Sequence, residues 1–191
     1  MVMEMRAAAA ESTIFQRPGP HLRAMNATPS ASDRPDGFRR VSQALAALGH
    51  AHEPVFLDRA ARTAQQAADA LGVSVGQIAK SIVFRRLRDG AAVLVVTSGD
   101  RRVDEVKVSA RVGAVGRADA AFVKAATSFA IGGVAPIGHA GETPPVLLID
   151  RELLRFDEIW AAAGHPHGVF RLTPQELIAF TGAPAEDVTA S

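Results

Sequence analysis

Hydrophobic positions first acquire a regular spacing about one fifth of the way along the chain. Phe38, Val41, Leu45 and Leu48 recur at intervals of three or four residues, which is typical of one buried face of a helix. Gly49 follows at the place where a helix C-cap is expected. We therefore predict a first helix that packs on a core.

The preceding segment, residues 1–34, mixes Ala, Pro, Ser and Gly without a hydrophobic period. Such a composition buries too little apolar surface to offset the entropy lost on ordering. We predict a poorly ordered N-terminal extension over residues 1–34 and a single domain over residues 35–191. Met25 is an alternative start of the natural chain.

Two runs of branched apolar residues lie close together in the middle of the chain. Residues 80–85 and 91–97 are separated by Arg88-Asp89-Gly90, a sequence with the chemistry of a hairpin turn. This arrangement predicts two adjacent antiparallel strands in the centre of the sheet.

Capping residues and apolar runs predict the other elements. Thr63 can cap a helix that ends at Gly72, and residues 173–176 form a capping box with proline at the first helical position. The continuous apolar run 145–149 predicts a buried strand. The remaining predictions are a strand within 52–57, a short helical segment at 74–79, helices over 103–112 and 119–126, a short helix over Leu153 and Leu154, and a last strand at 168–172.

The order of these elements indicates the fold class. Strands and helices do not alternate strictly, which favours an α+β fold over a doubly wound parallel one. We predict a mixed, largely antiparallel central sheet flanked by helices. A chain of 191 residues is long enough for one well-buried core and too short for two large ones.

Composition narrows the possible chemistry. The chain has no cysteine, which excludes disulfides, thiolate metal ligands and a cysteine nucleophile. No apolar run reaches the roughly 18 residues of a membrane span, and the N-terminus lacks the apolar core of a signal peptide, so we expect a cytoplasmic protein. The net charge is only +1, so contact with a nucleic acid requires a local basic patch.

The order of five segments is more specific than any one of them. QIAKSIVF at 77–84 precedes a strand ending in VVT at 95–97, the helical segment VDEVK at 103–107, the loop IGGVAPIGH at 131–139 and the strand PVLLID at 145–150. This order resembles the YbaK/ProX family of prolyl-tRNA-synthetase-associated deacylases over residues 37–183. In that family a lysine followed by Ser or Thr opens a central strand, and a paired-glycine loop faces it across the pocket.

The resemblance implies an activity and its partners. Members of the family hydrolyse the ester that joins a wrong amino acid to the terminal adenosine of a transfer RNA, often the one specific for proline. The implied partners are a mischarged tRNA and prolyl-tRNA synthetase or another synthetase, with neither a membrane nor DNA. An aminoacyl ester is already activated, so positioning and charge stabilisation suffice and no cofactor is expected. Water and the adjacent ribose hydroxyl are alternative nucleophiles.

The same resemblance places catalysis at Lys80, Gly132 and Gly133. Lys80 lies in an apolar run where an unpaired ammonium is costly to bury, so its charged end must reach a pocket or a partner. The two glycines lack Cβ atoms and allow main-chain groups to approach a ligand. A turn that requires positive φ would also explain them.

Four further residues are expected to bind substrate. His139 ends the glycine-rich loop and titrates in a useful range. Asp150 follows a buried strand, where capping of the next helix is an equal alternative. Ser81 can donate a hydrogen bond, although strand packing explains it almost as well, and Pro136 lies within the loop.

Basic residues near the strand motif predict a rim that contacts RNA phosphates. The predicted contacts are Arg85, Arg101, Arg102 and Lys107. Acidic neighbours such as Asp104 weaken this patch, and an ordinary solvated surface is the alternative.

His165 and His167 are two residues apart, and in an extended chain they would point the same way, as in a metal site. No cysteine or acidic cluster lies beside them. We therefore predict an exposed loop there and no metal.

Two other functions remain open at this stage. A non-catalytic module of the same fold would bind a tRNA end, a nucleotide or a synthetase without turnover. A hydrolase of small molecules outside translation would need a metal constellation or an activated nucleophile, and the sequence displays neither.

Overall fold

A computed structural model describes residues 33–190 of the chain. Nearly all of the predicted N-terminal extension therefore lies outside the described residues. The helices are α1 (Asp36–Ala47), α2 (Ala64–Leu71), α3 (Glu105–Val112), α4 (Ala120–Thr127) and α5 (Pro174–Thr181). The strands are β1 (Val55–Phe56), β2 (Ile78–Arg86), β3 (Ala92–Ser98), β4 (Val115–Arg117), β5 (Val146–Asp150), β6 (Ile159–Ala162), β7 (Gly168–Leu172) and β8 (Ala185–Glu186).

These strands form one mixed sheet in the order β1-β7-β6-β2-β3-β5-β8, with β4 also beside β2. Four of the seven pairings are antiparallel: β1 with β7, β2 with β3, β2 with β4, and β6 with β7. The pairings of β2 with β6, β3 with β5 and β5 with β8 are parallel. The predicted α+β class with a largely antiparallel sheet is confirmed, as is the central β2–β3 hairpin.

One edge of β2 has two different neighbours. Strand β6 pairs only with Ile78 and Ala79, at the start of β2, and β4 pairs only with residues 84–86 at its end. Within the described chain, residues 80–83 have no strand partner on that edge. The sheet is therefore open at this point, between β2 and β6.

Both faces of β3 are covered, which is why every residue of this strand is buried. Leu94 and Val96 belong to the larger core, which includes Phe38 and Val41 of α1. Val93 and Val95 point to the opposite face and pack in a second cluster with Val108 of α3. Because side chains alternate along a strand, a strand buried on both faces has a continuous rather than an alternating apolar pattern.

The capping residues behave as predicted from the sequence. Thr63 accepts a hydrogen bond from the backbone N–H of Gln66 at the start of α2. Thr173 and Glu176 form the reciprocal capping box that opens α5. Helix α1 buries Phe38 but leaves Leu48 exposed, because the helix ends at Ala47 and Leu48 occupies the C-cap.

Several short elements differ from the predictions. The strand expected within 52–57 has only two residues, and the segment 74–79 is a 3-10 turn that ends at Gln77. Strands β4 and β6 were not predicted, and 168–172 is not the last strand, because β8 follows α5. Strands this short have too few residues for a period, so pairing with neighbours decides them. No helix in residues 33–190 is long and apolar enough to cross a bilayer.

Candidate active site

A cavity of about 270 Å³ lies where the sheet opens between β2 and β6. Helix α2 and the loop before it form one wall, and the loop after α4 closes another. Its lining is mostly apolar and is contributed by these five parts of the chain: Ala61, Arg62, Thr63, Ala64 and Ala67; Ile78, Ala79, Lys80, Ser81 and Ile82; Ile131, Gly132 and Val134; Trp160, Ala161 and Ala162; Gly168 and Val169.

Lys80 is the ammonium on this wall. Its Nζ atom donates to the backbone oxygens of Gly99, at 3.1 Å, and Arg101, at 2.5 Å. An ammonium has three N–H groups, so one is left for a ligand. Lys80 forms no ion pair with a described carboxylate, and the nearby Asp100 is already bound by Arg155.

The surroundings of Lys80 shift the pKa of its ammonium. Burial lowers the pKa of Lys80 below its usual 10.5, and the negative charges of Asp100 and Asp150 only partly oppose that shift. A partly desolvated ammonium interacts more strongly with a negative ligand atom than a solvated one does. The site can therefore stabilise charge that develops on a carbonyl oxygen.

Gly132 lines the same cavity as Lys80. The N–H of Gly133 donates to the carbonyl of Ala130 at 3.0 Å, and Gly132 has φ of +88°. These values describe a turn with positive φ at its third residue, a position that favours glycine. A Cβ on Gly132 would meet no atom closer than 3.9 Å, so backbone conformation rather than space requires this glycine.

Gly133 has a different reason to be glycine. A Cβ there would lie 2.8 Å from the Cα and carbonyl carbon of His165, closer than packed atoms tolerate. Gly133 is buried, and it does not line the cavity itself. Its role in catalysis stays a prediction, whereas its place in packing the loop against residue 165 is a structural finding.

Two buried polar atoms belong to residues of the cavity wall. Ser81 Oγ and Trp160 Nε1 are inaccessible and have no hydrogen-bond partner among the described residues. Unpaired buried donors are uncommon because they lose their bonds to water. Ser81 was predicted from the sequence as a substrate contact. Trp160 was missed, because only its pairing with Ile78 brings it beside the strand motif.

Two of the predicted substrate contacts lie away from the cavity lining. Pro136 is a buried residue of the loop and does not line the cavity. The Nε2–H of His139 donates to the carbonyl of Ala135 at 2.8 Å. Burial lowers the pKa of His139, and the nearby positive charge of Arg40 lowers it further. Neither Pro136 nor His139 lines the cavity, and the role of each in substrate binding stays a prediction.

Asp150 is fully buried and does not line the cavity. Its carboxylate accepts hydrogen bonds from Thr97 Oγ1, at 2.8 Å, and from the N–H groups of Ser98 and Glu152, at 3.3 and 3.0 Å. The bond to Glu152 caps the 3-10 turn Arg151–Arg155. The structure thus gives Asp150 the capping role, and it makes no hydrogen bond with Lys80.

Three of the four predicted RNA-contact residues have a side-chain partner within the described chain. Arg101 pairs with Glu152 and Lys107 pairs with Asp187, both at 2.8 Å. The guanidinium of Arg85 lies over the ring of Phe122, at 5.3 Å from its centre. Arg102 is exposed and has no ion pair with a described residue. Contact of these four residues with RNA stays a prediction.

The two loop histidines pack rather than converge on a common point. His165 and His167 stack on Phe56, and His167 Nδ1 lies 2.8 Å from the carbonyl oxygen of Leu57, to which it donates. Across residues 33–190, no group of three or more His, Cys, Asp or Glu is arranged to hold a metal ion.

The mixed α+β domain thus places Lys80 and the positive-φ Gly132 on one small cavity, and comparisons with known proteins define the class of the domain. Residues 58–180 match the model of the aminoacyl-tRNA editing domain. The match covers more than half of the chain, and the protein belongs to this family.

Three individual proteins are similar to this chain. The uncharacterized protein YwhH of Bacillus subtilis strain 168 is 37% identical over 120 residues, which cover 62% of this chain and 74% of YwhH. The crystal structure of a putative trans-editing enzyme for prolyl tRNA synthetase is similar at 42% identity and a TM-score of 0.76, covering 83% of this chain and 99% of the other. The hypothetical protein APE2540 is 29% identical, with a TM-score of 0.73 and coverage of 79% and 99%.

Proposed function

We propose that this protein is a trans-editing hydrolase that cleaves the ester of a mischarged aminoacyl-tRNA. The observation that carries the proposal is the convergence of Lys80 and Gly132 on one cavity. These residues come from distant parts of the chain, and both belong to the motifs on which the family resemblance rests. Membership of the editing-domain family supports the same chemistry.

The size of the cavity supports a small aminoacyl group as the substrate. Its volume of about 270 Å³ is at the lower limit of the roughly 300–1,000 Å³ of pockets for larger ligands. The walls near Ile78, Ile82 and Val134 are apolar, which suits a small aliphatic side chain. A tRNA specific for proline, or a related tRNA, is the proposed carrier, because one similar structure is that of a putative trans-editing enzyme for prolyl tRNA synthetase.

The proposed mechanism depends on charge stabilisation. The free N–H of Lys80 would donate to the ester carbonyl oxygen, whose negative charge grows as a nucleophile adds to the carbonyl carbon. The turn at Gly132 would leave main-chain groups close to the aminoacyl end. For hydrolysis the added nucleophile is water, which gives up a proton as it adds. Collapse of the tetrahedral intermediate then breaks the bond to the ribose oxygen, which takes up a proton and leaves as the hydroxyl, and the amino acid leaves with a free carboxyl group.

The proposed partners follow from this substrate. We place the protein with mischarged tRNA in the cytoplasm, where synthetases charge tRNA, and we include prolyl-tRNA synthetase as a protein partner. The proposed chemistry uses no cofactor.

The test is hydrolysis of a panel of mischarged tRNAs by the purified protein. Wild-type protein should release at least one small amino acid, and Lys80→Met should lose most of that activity. Lys124→Met is the matched control, because Lys124 is exposed and its Nζ donates to Ser128 at the end of α4, outside the cavity lining. No release from any tRNA, or equal release by both variants, would refute the proposal.

A non-catalytic module that binds the same tRNA end is the second candidate function. The presence of Lys80 and Gly132 on one cavity supports it to the same degree, because a cavity indicates a ligand without requiring turnover. Tight binding of mischarged tRNA with an unchanged ester half-life would establish this alternative.

A further inference from the structure

A second recess lies next to the cavity, on the side of α3. It has a volume of about 310 Å³ and is called the basic groove below. Its lining comes from β2, the start of α3 and the end of β4: Lys80, Ile82, Val83, Phe84, Arg102, Val103, Glu105, Arg117 and Ala118.

The basic groove and the cavity share two wall residues, Lys80 and Ile82. These two side chains point to the same face of β2, because they are two residues apart along a strand. A ligand that contacts Lys80 from the cavity can therefore extend past it into the groove. The arrangement suits a substrate with two joined parts rather than two separate ligands.

The charge in the basic groove is not neutralised by ion pairs. Arg102 and Arg117 are exposed, and neither forms an ion pair or a side-chain hydrogen bond with any of residues 33–190. Most other arginines near the sheet have partners, such as Arg101 with Glu152 and Arg111 with Glu186. Two guanidinium groups in one recess, each without a carboxylate partner among the described residues, indicate a site for an anion.

Strand register explains how Arg117 reaches the groove. Arg117 pairs with Phe84 across the antiparallel β2–β4 ladder, and directly opposed residues project to the same face. Arg102 approaches from the segment that leads into α3. Among the described residues of the lining, Glu105 is the one acidic side chain, so these residues contribute three positive groups and one negative group.

We propose that the basic groove binds the 3′-terminal nucleotides of the tRNA, with Arg102 and Arg117 on the phosphates and the aminoacyl ester passing Lys80 into the cavity. The proposal rests on the proposed function for the identity of the RNA. The floor of Ile82, Val83 and Phe84 gives an apolar surface for a ribose or base, while the two arginines supply the charge that phosphates require. Neither Arg101 nor Lys107 is needed, since each already binds a carboxylate.

The direct test measures binding of an RNA trinucleotide with the sequence CCA, the 3′ end common to all tRNAs. Wild-type protein should bind it, and Arg102→Ala and Arg117→Ala should each weaken binding about tenfold, as expected for loss of a charged hydrogen bond. Arg117→Lys should recover part of the loss because it keeps the charge. Each alanine variant should also flatten the dependence of log affinity on log salt by about 0.7 per lost phosphate contact.

Arg88→Ala is the matched control, because Arg88 is exposed at the β2–β3 turn and lines neither recess. It should bind the trinucleotide as the wild type does. Thermal unfolding of every variant checks that the fold is retained. The proposal would be overturned if the wild-type protein does not bind the trinucleotide. It would also be overturned if Arg102→Ala and Arg117→Ala bind it with the same affinity as the wild type.

A second measurement separates this proposal from the editing activity. Arg102→Ala and Arg117→Ala should reduce kcat/KM for an aminoacyl-tRNA but leave hydrolysis of an aminoacyl-adenosine without phosphates unchanged. Failure of the wild type to hydrolyse either ester would refute the proposed function. The trinucleotide measurement would still test whether the basic groove binds RNA. Equal loss on both esters would indicate damage to the cavity and would count against the phosphate role.

Discussion

The backbone of His165 lies against Gly133 so closely that a Cβ at position 133 would be 2.8 Å from the His165 Cα. This contact joins the loop after α4 to the loop between β6 and β7. Both loops lie beside the cavity, since Gly132 and Gly168 contribute to its lining. The second glycine of the pair therefore fixes the position of the first.

Gly133→Ala should destabilise the protein by about 1–3 kcal/mol, because the added methyl group must displace backbone atoms of His165. Gly132→Ala should cost about 1 kcal/mol through its positive φ alone, since the space there is open. Urea unfolding of both variants measures the difference. A Gly133→Ala protein as stable as the wild type would show that the two loops separate easily.

Lys80 should give the protein a specific pH dependence of stability. Its pKa is lowered by burial in the folded state, whereas the unfolded chain keeps a value near 10.5. Between those two values the unfolded state binds more protons, so the free energy of unfolding should rise with pH over that interval. Lys80→Met should lack this rise.

The measurement is urea unfolding of both proteins at increasing pH up to 10.5, with Lys124→Met as the control for a general charge effect. As the pH rises, the free energy of unfolding of the wild type should increase relative to that of Lys80→Met. Parallel curves for these two proteins would contradict the burial of the ammonium.

Asp150→Ala should lower stability by about 2–4 kcal/mol. It removes a fully buried carboxylate and leaves Thr97 Oγ1 and the N–H groups of Ser98 and Glu152 without an acceptor. Asp150→Asn keeps one oxygen acceptor and should lose less. Thermal unfolding gives the stability of both variants.

Steady-state kinetics separate this capping role from substrate binding. If hydrolysis is established, the folded Asp150→Asn protein should keep the wild-type KM, because residue 150 does not line the cavity. A large rise in KM without loss of stability would instead support the predicted substrate contact.

Ala162→Val should narrow the range of amino acids that the cavity admits. Ala162 lines the cavity, and two added methyl groups take space from the bound side chain. Each methylene of misfit is worth about 1–3 kcal/mol, so larger amino acids should lose roughly tenfold or more in kcat/KM relative to alanine. Ala110→Val is the control, because Ala110 is exposed on α3 and outside the cavity lining. If the ratio of kcat/KM for larger amino acids to kcat/KM for alanine does not change, the side chain of the bound amino acid does not lie next to residue 162.

Much of the fold could be predicted from the sequence because its signals are local. The period of Phe38, Val41 and Leu45 predicted α1, and the threonine caps at positions 63 and 173 predicted the starts of α2 and α5. The two apolar runs and their turn predicted the central hairpin. In each case, residues a few positions apart provide the stabilising contacts.

The candidate site could be predicted only in part. The family resemblance, which rests on motif order, implied that Lys80 and the paired glycines share one pocket. In the structure, Lys80 and Gly132 both line one cavity. Trp160 and Arg117 could not be found, because each becomes a neighbour of β2 only through strand pairing. The ion pairs of two predicted RNA contacts could not be found either, since Glu152 and Asp187 reach Arg101 and Lys107 from distant positions.

The sequence by itself thus determined the helix ends, the hairpin and the residue types that the proposed chemistry needs, because capping, periodicity and turn formation act over a few residues. Only the tertiary structure decided that one edge of β2 lacks a strand partner at residues 80–83, that Asp150 caps a turn, and that Arg102 and Arg117 have no ion-pair partner among residues 33–190. Those outcomes depend on which distant strands pair and which carboxylates come within reach, and no local pattern specifies either.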